Sequence, residues 1–213
     1  MVRTMLSALC VLALILGGLS GCTTPSPAED EAPVEPAPVE EEAEEEEEHH
    51  HDEHGADEGV VGMMALAVVV DGEGQTIGEV RFTQTEEGVA VEGRIEGQEP
   101  GPKGFHVHET GLCEPPDFMS AGGHFNPEDH PHGGPDDDPD YRHAGDFGNL
   151  DFDDDGVAEF SFVDPVVTLG SGVNNIVGQA LIVHFEEDDL TSQPVGEAGG
   201  RAGCGLIEEV ESF

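Results

Sequence analysis

"GFHVHETGLC", residues 104–113, sets two histidines two positions apart around a valine. Side chains alternate across a β-strand, so residues i and i+2 share a face. His106 and His108 therefore project together, while Phe105 and Val107 go to the other side. One surface histidine needs no explanation. Two imidazoles on one strand face, in a chain with 48 acidic and 6 basic residues, suggest a shared target, and a metal ion is the first candidate.

Outward from this stretch the same short alternation recurs. "MMALAVVV" (63–70), "TIGEVRFTQT" (76–85) and "GVAVEGRIEG" (88–97) precede it. "GDFGNLDFD" (145–153), "GVAEFSFVD" (156–164), "GQALIVHF" (178–185) and "CGLIEEV" (204–210) follow. With "GFHVH" that makes about eight strands. "TEEGVA" and "DDDGVA" read as hairpin turns with glycine at the tip. There is almost no helical periodicity and no internal repeat. The pattern predicts an all-β domain, an antiparallel sandwich or a Greek-key barrel. Two long irregular stretches, 109–144 and 186–202, interrupt it, and long loops in a compact β-domain are usually functional.

Residues 59–213 have the length of one domain. Residues 1–22 read as an export signal instead. Arg3 supplies the positive start, and 6–19 form an apolar run shorter than the roughly 20 residues a membrane span requires. "LSGC" at 19–22 resembles a bacterial lipoprotein processing site, which makes Cys22 the lipidated residue; an ordinary secretory signal cut elsewhere is the alternative. The expected location is the cell envelope, with a lipid anchor in a membrane. Residues 23–58 are Pro-, Ala- and Glu-rich, with too little apolar surface to offset the entropy of ordering, and read as an acidic tether. His49, His50, His51 and His54 within it suit either metal capture or a solvated low-complexity run.

Sixteen of the acidic residues fall in 23–58. The other 32 face only Arg81, Arg94, Lys103, Arg142 and Arg201, which puts the domain near −27. That excludes nucleic acid as a natural partner. Self-repulsion of this size is screened at molar salt, where the Debye length is about 3 Å, so the balance points to a halophilic source. Stabilisation by bound cations is the alternative. Cys10 and Cys22 belong to the export segment. Cys113 and Cys204 remain and read as one disulfide in an exported domain.

The first long stretch collects His124, His130, His132 and His143, then Asp146; His184 ends the "GQALIVH" run. A His/Asp set without thiolate suits zinc or Cu(II). At these residues the sequence resembles the copper/zinc superoxide dismutase family. The matching stretches are "GFHVHE", "AGGHFNP", "HGGP", "HAGDFGNL", "IVH" followed by "DDL", and "GRAGCG". The resemblance implies an eight-stranded Greek-key barrel, one copper and one zinc per chain, and superoxide as substrate. It implies copper ligands at His106, His108, His124 and His184, and zinc ligands at His124, His132, His143 and Asp146. It further implies that His124 bridges the two ions and handles a proton, that Asp188 links ligands of both ions, that Arg201 is the active-site cation, and that Cys113–Cys204 is the intrasubunit disulfide. His132 is preferred over His130 because "HGGP" follows it. The family contains homodimers of different construction as well as monomers.

Three features fall outside this pattern. "FEEDDLTSQPVGEA" (185–198) carries no basic residue that could attract superoxide from a distance. "DFDDDG" (151–156) imitates a calcium loop, but Phe162 stands where that loop needs glutamate, so an acidic hairpin turn is the better reading. Met63 and Met64 open an apolar strand and are expected in the core. The rival function is a non-catalytic module that binds or stores copper and zinc.

Overall fold

The computed structural model describes residues 59–210. Residues 1–58, where the expected export segment with Cys22 and the expected acidic tether with its histidines fall, and residues 211–213 lie outside the described residues. Eight strands form: β1 (Met64–Asp71), β2 (Thr76–Thr85), β3 (Gly88–Glu96), β4 (Gly101–His108), β5 (Asp146–Phe152), β6 (Val157–Asp164), β7 (Ala180–His184) and β8 (Arg201–Val210). They make one antiparallel sheet in the order β5-β4-β7-β8-β1-β2-β3-β6. The connections β3–β4 and β6–β7 each leap across the sheet, which is the Greek-key path. Among the described residues no helix is long and apolar enough to cross a membrane.

The order begins with β5 and ends with β6, and these two strands meet to bring the barrel almost to closure. Rings, rather than a hydrogen-bond ladder, span the seam. Phe147 of β5 lies 5.6 Å from Phe162 of β6, and Phe105 of β4 lies 5.3 Å from Phe160 of β6. The inward positions follow the period of two: Ala65, Ala67 and Val69 of β1 are buried, whereas Val68 between them is 46% exposed. Val80, Phe82, Val91, Ile95 and Ile207 complete that face. Each such large side chain contributes about 1.5–3 kcal/mol by leaving water.

β4 departs from this alternation in a way that builds the site. Phe105 and Val107 join the barrel core. His106 and His108 point the other way, yet they are also buried, because the loops 109–145 and 185–200 fold over that outer face. The first of these loops is fastened by a satellite core of Phe118, Ala121, Ala180, Ile182 and Cys204, and by the Cys113–Cys204 disulfide.

The turn 153–156 is an acidic hairpin, as expected, with Asp153 Oδ1 accepting from the amides of Asp155 and Val157 at 2.9 and 3.0 Å. In the other hairpin the tip is Glu86–Glu87, and Gly88 opens β3 rather than forming the tip. Met63 packs against the core beside the start of β1. A third irregular stretch, 165–179, was not expected. It still contributes Val167, Leu169 and Ile176 to the core, although its glycines and asparagines break any strand pattern. β8 begins at Arg201, three residues earlier than its apolar run, and this places Arg201 opposite His184 in the β7–β8 register.

Candidate metal centre

Four imidazoles converge outside β4 and β7. His106 and His108 come from β4 and His184 from the end of β7. His124 is brought in by an isolated antiparallel bridge to His108. One ring nitrogen from each lies within 4.8 Å of the others, and all four residues are buried. Each ring is held by one nitrogen. His106 Nε2 meets Asp188 Oδ2 at 2.6 Å, and His108 Nδ1 donates to the Gly122 carbonyl at 3.0 Å. His124 Nδ1 meets Asp146 Oδ1 at 2.7 Å, and His184 Nδ1 donates to the Gly199 carbonyl at 3.3 Å.

The other nitrogen of each ring, His106 Nδ1, His108 Nε2, His124 Nε2 and His184 Nε2, is buried without a hydrogen-bond partner. Buried polar atoms are almost always bonded, so four orphans in one cluster require a common explanation. Donation by one nitrogen fixes the lone pair on the other, as a metal-binding imidazole requires. Burial also favours the neutral ring at His108, His124 and His184. It pushes His108 well below the ordinary histidine range. His124 falls to about 4 and His184 to about 3, in both cases chiefly by burial, with the neighbouring His106 adding to it.

A second group shares His124. It comprises His124, His132, His143 and Asp146, again all buried and with donor atoms within 4.8 Å. Asp146 lies at the start of β5. Its Oδ1 is 2.7 Å from His124 Nδ1 and 3.2 Å from His143 Nδ1, and its Oδ2 is 3.0 Å from His132 Nδ1. Burial alone would raise its pKa, but the three imidazoles hold it far below the usual carboxylate range. His132 also bonds Asp188 Oδ1 through Nε2 at 3.0 Å. Burial lowers His132, but the bonds and charges of Asp146 and Asp188 outweigh it and raise the ring to about 9.

Arg201 flanks the four-imidazole group. Its guanidinium donates to the Phe118 carbonyl at 2.5 Å and to the Gly122 carbonyl, the same oxygen that holds His108. Arg201, His108, His124 and His184 line one cup of about 420 Å3.

The profile of the copper/zinc superoxide dismutases matches residues 76–207. Superoxide dismutase (Cu-Zn) A of Xenopus laevis is 43% identical over 156 residues, 68% of this chain and 97% of that protein. The chain belongs to the copper/zinc superoxide dismutase family. Two solved structures agree. The clock protein EA4 is 40% identical with a TM-score of 0.62, over 70% of this chain and 97% of that one. A SOD-like protein from Bacillus subtilis is 35% identical with a TM-score of 0.61, over 66% and 95%.

The family's two ions fit the residues present. Four imidazoles, each with one nitrogen left unpartnered, suit copper, and three imidazoles with one carboxylate suit zinc. The residues expected as ligands come together in these two groups, Asp188 and Arg201 lie against them, and Cys113 and Cys204 form a disulfide. The structure brings in His132 and not His130, whose Nδ1 donates to the Pro139 carbonyl at 3.0 Å.

Several supports carry no sequence signal. Asn149 clamps the backbone of Asp188, donating to its carbonyl at 2.9 Å and accepting from its amide at 2.8 Å. Gln193 does the same for His132, with both bonds at 2.8 Å. Gly196, at φ 69°, lies so close to Asp188 that a Cβ there would stand 1.8 Å from its Oδ1. Arg142 is fully buried, bonds Asp164 at 2.6 Å and donates to the Asp146 carbonyl at 3.2 Å, which braces the segment between His143 and Asp146.

Proposed function

We propose that this chain is a superoxide dismutase in which His106, His108, His124 and His184 hold copper, and His124, His132, His143 and Asp146 hold zinc. The observation that carries this reading is the set of four orphaned imidazole nitrogens beside Arg201 in one open cup. Bound copper supplies a one-electron couple, so that one superoxide is oxidised to oxygen and a second is reduced to hydrogen peroxide with two protons. The chain's own residues do the rest. Arg201 is a permanent cation whose fork is fixed by two carbonyls, and it holds a small anion beside the imidazoles. His124 keeps Nδ1 on the Asp146 side and Nε2 toward the cup. Its Nε2 can therefore hold a proton and pass it on without the ring leaving its place. Asp188 fixes His106 and His132 together, which keeps the two groups in register.

The same reading includes export and a lipid on Cys22. Its support is the apolar run at 6–19, the "LSGC" box at 19–22 and a domain disulfide of the kind that persists outside the cytoplasm. Its tether is 23–58, and the charge of the domain matches a salt-rich setting.

Metal analysis of the purified protein together with a superoxide assay tests the assignment. One copper and one zinc per chain with high activity are expected. Zinc alone, with no activity, would replace it with metal storage.

A further inference from the structure

The mouth of the cup is apolar. Met119, Phe185 and Val195 line it with the ligand histidines, and they are 65%, 56% and 37% exposed. Met119 is the most exposed of the three, and the backbone around it is held in place. Phe118 before it and Ala121 after it are fully buried. The Phe118 and Gly122 carbonyls are both held by Arg201, and Met119's own amide donates to Asp117 Oδ1 at 3.2 Å. The backbone that carries Met119 at the rim is thus braced.

Loading this centre poses a selection problem. Imidazole accepts copper and zinc alike, and the acidic surface attracts either cation. Nothing in the four-imidazole group itself excludes zinc. A thioether does discriminate, because it is a soft ligand that prefers Cu(I) and binds zinc poorly. It is also neutral at every pH, so Arg201 beside it does not oppose its role.

We propose that Met119 is a transient Cu(I)-capture ligand at the mouth of the copper site. Its sulfur takes Cu(I) from the outside and hands it to the open nitrogens of His108, His124 and His184 by ligand exchange, without transfer of an electron or a proton. This rests on the assignment of the four-imidazole group to copper, but not on dismutation.

The test uses the full-length protein with zinc already bound, copper-free and anaerobic. Cu(I) is offered as its coloured bicinchoninate complex, and loss of colour gives the transfer rate. Met119→Leu keeps the shape and removes the sulfur. We expect Cu(I) transfer at least about fivefold slower in the variant, an unchanged endpoint of one copper per chain, and unchanged uptake of Cu(II). Equal Cu(I) rates would overturn the proposal. So would slowing of Cu(I) and Cu(II) alike, which would make Met119 a steric rim, or a lower copper endpoint, which would make it a permanent ligand. Because colour loss reads metal transfer alone, an inactive but normally loading protein would sink the dismutase reading and leave this one standing.

Discussion

Asp188 Oδ2 lies 2.6 Å from His106 Nε2 across 82 residues of chain, and both side chains are fully buried. The other oxygen of the same carboxylate reaches His132 at 3.0 Å. One anion thus braces a ring from each metal group while belonging to neither. Asp188→Ala should weaken both copper and zinc binding by about 10–100-fold, the usual effect of losing a residue that orients a ligand. Chelator competition measures the two affinities separately. A loss confined to one metal would show that the bracing is not shared.

Arg201 should govern the rate without governing metal content. Arg201→Ala removes a fixed cation from the cup and should lower the dismutation rate constant by about 10–100-fold, the range for a charged hydrogen bond of 1.5–3 kcal/mol. Arg201→Lys keeps the charge but cannot span the Phe118 and Gly122 carbonyls, so an intermediate rate is expected. Pulse radiolysis on protein of equal copper content checks both.

Salt should not slow this enzyme. The loop 185–200 has no Lys or Arg, and the domain repels anions at long range, so added salt screens repulsion rather than attraction. The rate should hold or rise from low to molar salt. A steep decline would mean that an unrecognised positive field guides the substrate.

Zinc binding should release a proton. In the metal-free protein His132 titrates near 9, so it is protonated at pH 7 and must deprotonate to act as a ligand. Calorimetry in buffers of different ionisation enthalpy should report about one proton lost from this ring per zinc bound, with affinity rising from pH 7 to about 9 and levelling above it. Stability of the metal-free fold carries both signs. The raised His132 stabilises fully below its unfolded value near 6.5, and this contribution is lost as pH rises through about 9. The depressed His124 and His184 favour the fold above about 6.5, and this is lost as pH falls through about 4 and 3. Thermal melts of metal-free protein should therefore peak near pH 6.5.

The disulfide closes a separation of 91 residues. Replacing both Cys113 and Cys204 by serine should cost about 4–5 kcal/mol by the loop-entropy relation, seen as a lower denaturation midpoint. It should also lower activity, because the loop that carries the Phe118 and Gly122 carbonyls loses its fastening to β8.

Much of this was legible in the residues. The period of two around His106 and His108 gave both the strand and the shared face, and alternation located the other seven strands. Burial of those histidines was not legible, since it comes from loops that close over β4 from far along the chain. His130 and His132 could be separated only through the family resemblance, by the motif beside His132 and its distance from His124, because two histidines two residues apart look alike to any local rule. Residues 165–179 pack without a repeating pattern, so their place in the core carries no period to read. The amide clamps of Asn149 and Gln193 and the carbonyl grip on Arg201 were invisible, because backbone groups are the same at every position.

The two ion groups also differ in how the sheet holds them. His106, His108 and His184 stand on β4 and β7, each flanked by a strand on either side. Asp146 stands on β5, which is bonded to β4 alone, and His132 and His143 hang from the loop before it. Fraying would begin at that margin, so progressive denaturant should strip zinc first and leave copper seated in a protein still largely folded.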